Sequence, residues 1–373
     1  MREVICLDLP LGDEFVTRVR RAWDDGDAVF PLDQRLPGTA RETQLATVAP
    51  TRIVDAGGER AHNGRPAEDG DALIVATSGT TGQPKAAVLT IEAVRASALA
   101  SSARLGVGPD DCWFACLPPA HVGGFSVVAR AIVTGAPLIT APRFDPAAYR
   151  DAAARGATLV SLVATALGRI DASLVRTIVL GGSRPPVDRP ENCVATYGMT
   201  ETGSGVVYDG RALDGVEIEI RDGIVHLRCP MLLRTYRDGS PAGSDMDPCG
   251  ADGWFCTQDA GEMRDGGLVV HGRIGDVIVT GGEKVWPDEV EAVIATLPGV
   301  AEVCVAGVPD PEWGDAVHAW IVPTGECPGL AEVRDHVKST LPAWCAPRAI
   351  RCIGSIPRTP LGKPIRSALV ASN

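Results

Sequence analysis

Short apolar runs alternate with helix-period segments through the first half of the chain, and this alternation limits the fold more than any other feature. Residues 72–76 (Ala-Leu-Ile-Val-Ala), 158–163 and 177–180 are brief runs punctuated by Gly or Asp, which marks strands buried on both faces. Ala-rich stretches with helical spacing lie between them, at 91–104 and 146–155. Strands alternating with helices predict an α/β domain with a largely parallel sheet. After about Gly205 the texture changes: residues 216–220 and 224–228 alternate apolar with polar, as half-exposed antiparallel strands do, and Asp222-Gly223 between them is a hairpin signal. From 269 onward strands and helices mix again, with strands expected at 277–279, 303–308 and 316–322 and helices at 287–297 and 330–340. The length of 373 residues suits two or three domains. A boundary near Arg273 divides it into an N-terminal domain over 1–272 and a C-terminal domain over 273–373, each of ordinary size.

Charge narrows the function. With 47 acidic against 35 basic side chains the net charge is −12, which argues against a sequence-independent grip on a nucleic-acid backbone. A nucleotide needs only a local basic pocket, so nucleotide chemistry stays open. Residues 1–14 mix acidic side chains into a short apolar run and do not read as a secretory signal. No stretch reaches the roughly 18 apolar residues of a membrane span; even the apolar region 125–141 is interrupted by Arg130, Gly135 and Pro137. The eleven cysteines form no C-x-x-C pair and have no histidine at zinc-ligand spacing, so they are expected to be mostly buried, reduced thiols of a cytoplasmic protein.

The segment Thr77-Ser-Gly-Thr-Thr-Gly-Gln-Pro-Lys85 directly follows a buried strand. Ser78, Thr80 and Thr81 supply hydroxyls, Gly79 and Gly82 let backbone N–H groups turn toward an anion, and Lys85 closes the loop, a composition suited to phosphate. It is not the Walker pattern, because Gln-Pro separates Gly82 from Lys85. An ordinary Ser/Thr/Gly turn would have the same composition.

Further motifs stand in order behind that loop: Leu117-Pro-Pro-Ala-His-Val-Gly-Gly124, Val179-Leu-Gly-Gly-Ser183, Tyr197-Gly-Met-Thr-Glu-Thr202, Gly253-Trp-Phe-Cys-Thr-Gln-Asp259, Gly272-Arg273 with Gly281-Gly282, and Pro357-Arg-Thr-Pro-Leu-Gly-Lys363. Together they resemble the signatures of the adenylate-forming superfamily of acyl- and aryl-CoA ligases, peptide-synthetase adenylation domains and luciferases. Within it the chain is most similar to short, actinobacterial o-succinylbenzoate:CoA ligases of menaquinone biosynthesis. The resemblance implies that superfamily's fold: a large N-terminal α/β domain with mixed sheets and a small mobile α+β C-terminal domain. It also implies a reaction in two halves, a carboxylate attacking ATP to give acyl-AMP and pyrophosphate, and the thiol of CoA then displacing AMP.

The same resemblance implies roles for individual residues. Thr77, Ser78, Gly79, Thr80, Thr81, Gly82 and Lys85 would hold the departing phosphates. Glu201 would bind Mg²⁺, Thr200 would donate to the α-phosphate, and Tyr197 with Gly198 would face adenine. Gly181, Gly182 and Ser183 would floor the adenine and acyl sites, and Asp259 would accept the ribose hydroxyls. Lys363 would carry the adenylation step as a mobile point charge. Arg273 would stand between the domains, and Gly281 and Gly282 would line a pantetheine channel after the C-terminal domain rotates. The acid pocket would use His121, Gly123, Gly124 and Thr165, with Arg169 pairing a second substrate carboxylate.

Three positions depart from the family pattern: Ala86 and Gln258 stand where glycine is usual, and Gly275 occupies the hinge position. The phosphate loop begins early in the chain, which implies a reduced front subdomain or one replaced by a partner subunit. Expected partners are a small carboxylic acid, ATP and CoA, with a homodimer as the assembly, and with neither nucleic acid nor a membrane span. Three other readings stay open: a carrier-protein thiol as acceptor, another aryl or acyl acid, and a nucleotide-binding module without catalysis.

Overall fold

A computed structural model of the chain describes residues 2–77, 85–186, 188–237, 248–250, 252–358 and 364–372. The chain divides into two compact units, one comprising residues 1–219, 226–256 and 264–268, the other 220–225, 257–263 and 269–373.

The first unit is built on two seven-stranded sheets. One runs Thr235–Arg237, Lys85–Thr90, Asp71–Thr77, Ala28–Pro31, Val4–Leu7, Arg52–Asp55, Gly58–Ala61. Its centre is parallel, but both flanks are antiparallel. The links explain the mixture: residues 56–57 and 78–84 are too few to carry the chain back for a parallel neighbour, which needs a crossover of a dozen residues or more. The second sheet runs Arg211–Ala212, Gly205–Tyr208, Cys193–Gly198, Thr177–Leu180, Leu159–Leu162, Trp113–Ala115, Leu138–Thr140. The last five of these strands are mutually parallel. The parallel sheet expected from the sequence is therefore realised most fully here.

Local signals set the helix ends. In Ile91–Arg104 the Thr90 side chain accepts from the Ala93 N–H, with Glu92 in the first turn and Arg104 in the last, each charge favourable to the helix dipole. In Pro146–Ala154 the Asp145 carboxylate caps the N–H groups of Ala147 and Ala148. The main core takes Leu73 and Leu89 from the first sheet, Trp113 and Leu159 from the second, and Val94 and Phe125 from the helices Ile91–Arg104 and Val122–Thr134. Burying side chains of this size contributes on the order of 2 kcal/mol each.

The hairpin Glu217–Arg221 to Ile224–Arg228 forms as read: Asp222 and Gly223 have φ of 52° and 78°, the left-handed pair a two-residue turn requires. It lies in a four-stranded sheet with Phe255–Arg264 and Gly267–Arg273, and the division between the units passes through this sheet.

The second unit has its own five-stranded sheet, ordered Glu283–Val285, Ile278–Thr280, Gly314–Pro323, Val300–Asp310, with Ala349–Cys352 pairing parallel to Gly314–Pro323. Alternation assigns its faces. Val305, Val317 and Ile321 pack against Val290, Ile294, Val333 and Val337 of the helices Pro287–Ile294 and Leu330–Lys338. Cys304, Ala306 and Trp320 meet Ile356 and Leu369 on the other face.

The cysteine expectation is corrected at one pair: Cys327 and Cys352, both exposed, are disulfide-bonded with Cα atoms 6.2 Å apart. Nine cysteines are free, five of them buried. Among the described residues no helix is long and apolar enough to cross a membrane.

Candidate active site

Parallel strands bring the loops that follow them to one edge of a sheet, where α/β folds bind ligands. In the second sheet this edge gathers three of the sequence motifs and the pocket residue Thr165. The loop holding His121 follows Trp113–Ala115, Thr165 follows Leu159–Leu162, Gly181 to Ser183 follow Thr177–Leu180, and Tyr197 and Gly198 end Cys193–Gly198. The Thr196 hydroxyl donates to the Leu180 carbonyl at 2.9 Å, and a Cβ on Gly181 would meet that hydroxyl at 3.1 Å. At Gly198 the register shifts, and a Cβ would lie 2.2 Å from the Ser204 carbonyl oxygen, so only glycine fits. The chain then turns through the short helix Thr200–Thr202, where fully buried Thr202 anchors the turn by donating to Ser204 O and accepting from Met199 N, while Thr200 and Glu201 stay part-exposed.

A second motif meets the first through a residue that sequence reasoning missed. Thr77 and Lys85 are paired across Asp71–Thr77 and Lys85–Thr90, and Thr77 Oγ1 donates to Lys85 O at 3.1 Å. Ser78, Gly79, Thr80, Thr81 and Gly82 lie outside the described residues. The Lys85 ammonium is 5.4 Å from the ring centroid of Tyr236, whose hydroxyl donates to Glu201 Oε1 at 2.8 Å. Tyr236 thus brings the end of the phosphate loop and the acidic residue of the 197–202 motif to one place.

His121 caps the helix Val122–Thr134, whose first turn packs so closely on the preceding loop that a Cβ on Gly124 would lie 2.3 Å from Pro118 O; Gly123 has open space. His121 Nε2 is 2.7 Å from Arg35 Nη2 and 3.1 Å from Asp33 Oδ2. With its proton on Nδ1 the ring accepts from Arg35; protonated at Nε2 it donates to Asp33, so either way the ring is held. Arg35 also grips Asp33 through Nε at 2.9 Å and Nη2 at 2.8 Å. Burial alone would raise the Asp33 carboxyl, but hydrogen bonds from Arg35 and His121 outweigh it and hold that carboxyl well below the usual range. Thr165 is exposed, as is Arg169, whose guanidinium lies 5.3 Å over the Phe144 ring.

Arg130, one turn before the end of the same helix, is only 2% exposed. Its Nε donates to Ser101 Oγ at 2.8 Å, its Nη2 to the Tyr208 hydroxyl at 3.1 Å, and its guanidinium sits 5.2 Å over the Trp113 ring. Nη1 has no hydrogen-bond partner, and no carboxylate among the described residues pairs with it. Arg130 lines a cavity of about 10 Å³ with Phe125, Ser126, Ala129, Ser97 and Gly203, the residue that follows the Thr200–Thr202 turn. A cation interrupting the apolar stretch 125–141 was the signal in the sequence.

In the second unit Arg273 Nε pairs with Asp259 Oδ1 at 2.8 Å, and Arg273 Nη1 donates to Thr257 O at 3.2 Å. Asp259 is buried, and its N–H donates to Thr257 Oγ1. Gln258, where glycine is usual, keeps a glycine-like φ of 61°. Gly281 and Gly282, with φ of 58° and 86°, form the two-residue turn between Ile278–Thr280 and Glu283–Val285. Turn geometry alone accounts for both glycines. Lys363 lies outside the described residues.

Residues 19–223 match the family model of AMP-binding enzymes, and residues 289–363 match that of the AMP-binding enzyme C-terminal domain. The chain belongs to the AMP-binding enzyme family. This AMP-binding enzyme is 37% identical over 335 residues to the probable 2-succinylbenzoate–CoA ligase of Mycobacterium tuberculosis, across 82% of this chain and 86% of that relative. It superposes with a TM-score of 0.86 on the o-succinylbenzoate CoA synthetase of Bacillus subtilis solved with its acyl-adenylate intermediate, at 26% identity over 98% of this chain and 88% of that one. The same B. subtilis enzyme in complex with ATP and a magnesium ion gives 0.85 at 26% identity, over 98% and 89% of the two chains. The adenylate-forming fold expected from the motifs is the fold observed.

Proposed function

We propose that the chain is an o-succinylbenzoate:CoA ligase, and the observation that carries the choice of acid is Arg130. A buried guanidinium without a carboxylate partner is costly unless an anion satisfies it. An acid with two carboxylates can present one to ATP and leave the other for this cation, which takes the role the motifs implied for Arg169, exposed over Phe144. The cavity beside Arg130, about 10 Å³, has the space of about one water, so this conformation supports a water-bridged pairing. The relatives named for 2-succinylbenzoate support the same acid.

In the first half-reaction a substrate carboxylate oxygen bonds to the α-phosphorus of ATP while the bond to the pyrophosphate oxygen breaks. Both reactants are anions, so the protein must align them and screen charge. Lys85 and Thr77, with Ser78, Thr80 and Thr81, hold the departing phosphates, and Thr200 donates to the α-phosphate. Lys363 supplies the positive charge to the α-phosphate and the carboxylate in this step. Tyr197, Gly181, Gly182 and Ser183 face the adenine and acyl groups, and Asp259, oriented by Arg273, receives the ribose. Among the described residues no group of three His, Cys, Asp or Glu side chains could hold a metal ion by itself. The donor set, one carboxylate oriented by Tyr236, instead fits a Mg²⁺ shared with the substrate's phosphates, to which it would supply charge neutralisation. In the second half, residues 273–373 act as a mobile domain, and Gly281 and Gly282 admit the pantetheine thiol of CoA, which displaces AMP. A cytoplasmic location and a homodimer complete the reading; gel filtration at the mass of a monomer would remove the dimer.

A pyrophosphate-release assay over a panel of carboxylic acids, with and without CoA, tests the function. Release dependent on o-succinylbenzoate, with its CoA thioester as product, is expected. Turnover of monocarboxylic acids alone would refute it.

A further inference from the structure

Arg366 pairs with three carboxylates of the second unit, and no step described above uses it. It opens the helix Arg366–Ala371, with a side chain 19% exposed. Its Nη1 pairs with Asp276 at 3.2 Å, its Nη2 with Asp288 at 2.6 Å and Glu291 at 2.9 Å, and its Nε donates to Val305 O at 3.0 Å. One guanidinium therefore ties together the turn Ile274–Asp276 that follows Arg273, the helix Pro287–Ile294, and the strand Val300–Asp310. A planar fork with several fixed donors can do this; a lysine, a single point charge, cannot hold all four acceptors.

A second set of contacts closes the chain just upstream. Arg358 and Pro364 form an antiparallel bridge, Ile365 N–H donates to Pro357 O at 2.8 Å, and Arg358 pairs with Glu302 at 2.7 Å. The residues on either side of 359–363 are thereby fastened to each other and to the five-stranded sheet. Lys363 immediately precedes Pro364, and Arg366 stands three positions after Lys363.

We propose that Arg366 is a positioning residue for acid activation: by binding Asp276, Asp288 and Glu291 it fixes the downstream end of the lysine-bearing segment to the turn after Arg273 and to the helix Pro287–Ile294. The inference rests on the role given to Lys363 above. Its consequence is selective. Adenylation depends on where Lys363 is presented, whereas thioester formation from ready-made acyl-AMP uses the same unit without that lysine. A role confined to stability would affect both halves alike.

The test measures the two half-reactions separately in the full chain: acyl-AMP formation by ATP–pyrophosphate exchange, and thioester formation from supplied acyl-AMP and CoA. The acid is whichever panel member the wild-type chain activates, so failure of o-succinylbenzoate as substrate leaves this test standing. For Arg366→Ala the expected result is a loss of about a hundredfold in adenylation, the scale of a misplacement near 1 Å, with thioester formation kept within about twofold. Arg366→Lys keeps the charge but not the fork and should show the same split. Asp276→Asn removes one negative charge from the more exposed side, leaves Asp288 and Glu291 in place, and should reproduce the split on a smaller scale; it decides the matter if Arg366→Ala does not fold. Equal loss in both halves for Arg366→Lys and Asp276→Asn, or no loss in either, would overturn the proposal. So would a Lys363→Ala variant that adenylates normally, since Arg366 would then have nothing to position.

Discussion

Replacing Arg130 by Met separates what this residue does for the substrate from what it does for the fold. The substitution keeps a long, flexible side chain and removes the charge. On the stability side, losing an uncompensated buried cation is neutral or stabilising by roughly 1 to 4 kcal/mol. Against this stand two hydrogen bonds, to Ser101 and Tyr208, at about 1 kcal/mol each, and the contact with the Trp113 ring, which a methionine sulfur partly restores. Ser101 Oγ also donates to Ser97 O, so it is not left without a partner. The opposing contributions leave a net change within about 2 kcal/mol in either direction, roughly 6 °C in Tm at most for a unit of this size.

On the substrate side the loss is one-sided. A carboxylate held about 6 Å from the guanidinium across a single water gains about 3 kcal/mol at an effective dielectric of about 20. That corresponds to about a hundredfold in kcat/KM. The assay compares o-succinylbenzoate with a benzoate lacking the second carboxylate, by pyrophosphate release, alongside a thermal melt. Arg130→Met should lose about two orders of magnitude with the first acid, little with the second, and keep its Tm within that range. Equal loss with both acids, or a melt lowered by ten degrees or more at unchanged acid preference, would show Arg130 to be a structural hub instead.

Tyr236→Phe removes a hydrogen bond to the Glu201 side chain, a contribution of about 1.5 kcal/mol, and should lower pyrophosphate release about tenfold while raising the Mg²⁺ concentration needed; an unchanged Mg²⁺ titration would refute the link. Asp33→Asn tests the depressed carboxyl: its stabilisation is fully present above the ordinary carboxylate range near pH 4 and is lost as pH falls toward the lower folded value. Urea melts of the two proteins should thus differ most at neutral pH and converge toward pH 2.5, and a pH-independent difference would count against the assignment. The Cys327–Cys352 bond closes a loop of sequence separation 25, worth about 3.5 kcal/mol in the chain-entropy account, so dithiothreitol should lower the Tm of the wild-type chain but not of Cys327→Ser. Thiol titration of the denatured, unreduced wild-type chain should find nine free cysteines; eleven would show the bond absent.

What the sequence disclosed and what it concealed follow the range of the forces involved. The helix Ile91–Arg104 was legible to the residue because its cap, period and terminal charges are all local. The turn at Asp222 and Gly223 was legible because left-handed backbone leaves a compositional mark. The strands Val4–Leu7, Ala28–Pro31 and Arg52–Asp55 were not read, although they form the parallel centre of the first sheet. Four residues buried between neighbours show no alternation, and their pairing partners lie more than twenty positions away. Tyr236 sits on a strand of three residues, too short for any period, and its role is set by Lys85 and Glu201, both far off in sequence. Asp33 and Arg35 reach His121 across more than eighty residues.

Pairing, more than position in a motif, separates the cations of this acidic chain. Arg273, itself exposed, is held by the buried Asp259, and the mostly buried Arg366 by three carboxylates, so the charge of each is compensated by the protein itself. Removing one partner of such a group is strongly unfavourable, which suits residues that fix geometry. Arg130 is more deeply buried than either and has no carboxylate partner among the described residues. An arrangement of that kind lowers stability in the absence of an anion and is relieved when one arrives, so the ligand's charge completes the site. A motif search passes over it because the marker is a missing partner, visible only once burial and distances are known. The same reasoning predicts a direction for ligand effects: a dicarboxylic acid should raise the melting temperature of the wild-type chain more than a monocarboxylic acid of similar size, and Arg130→Met should abolish that difference.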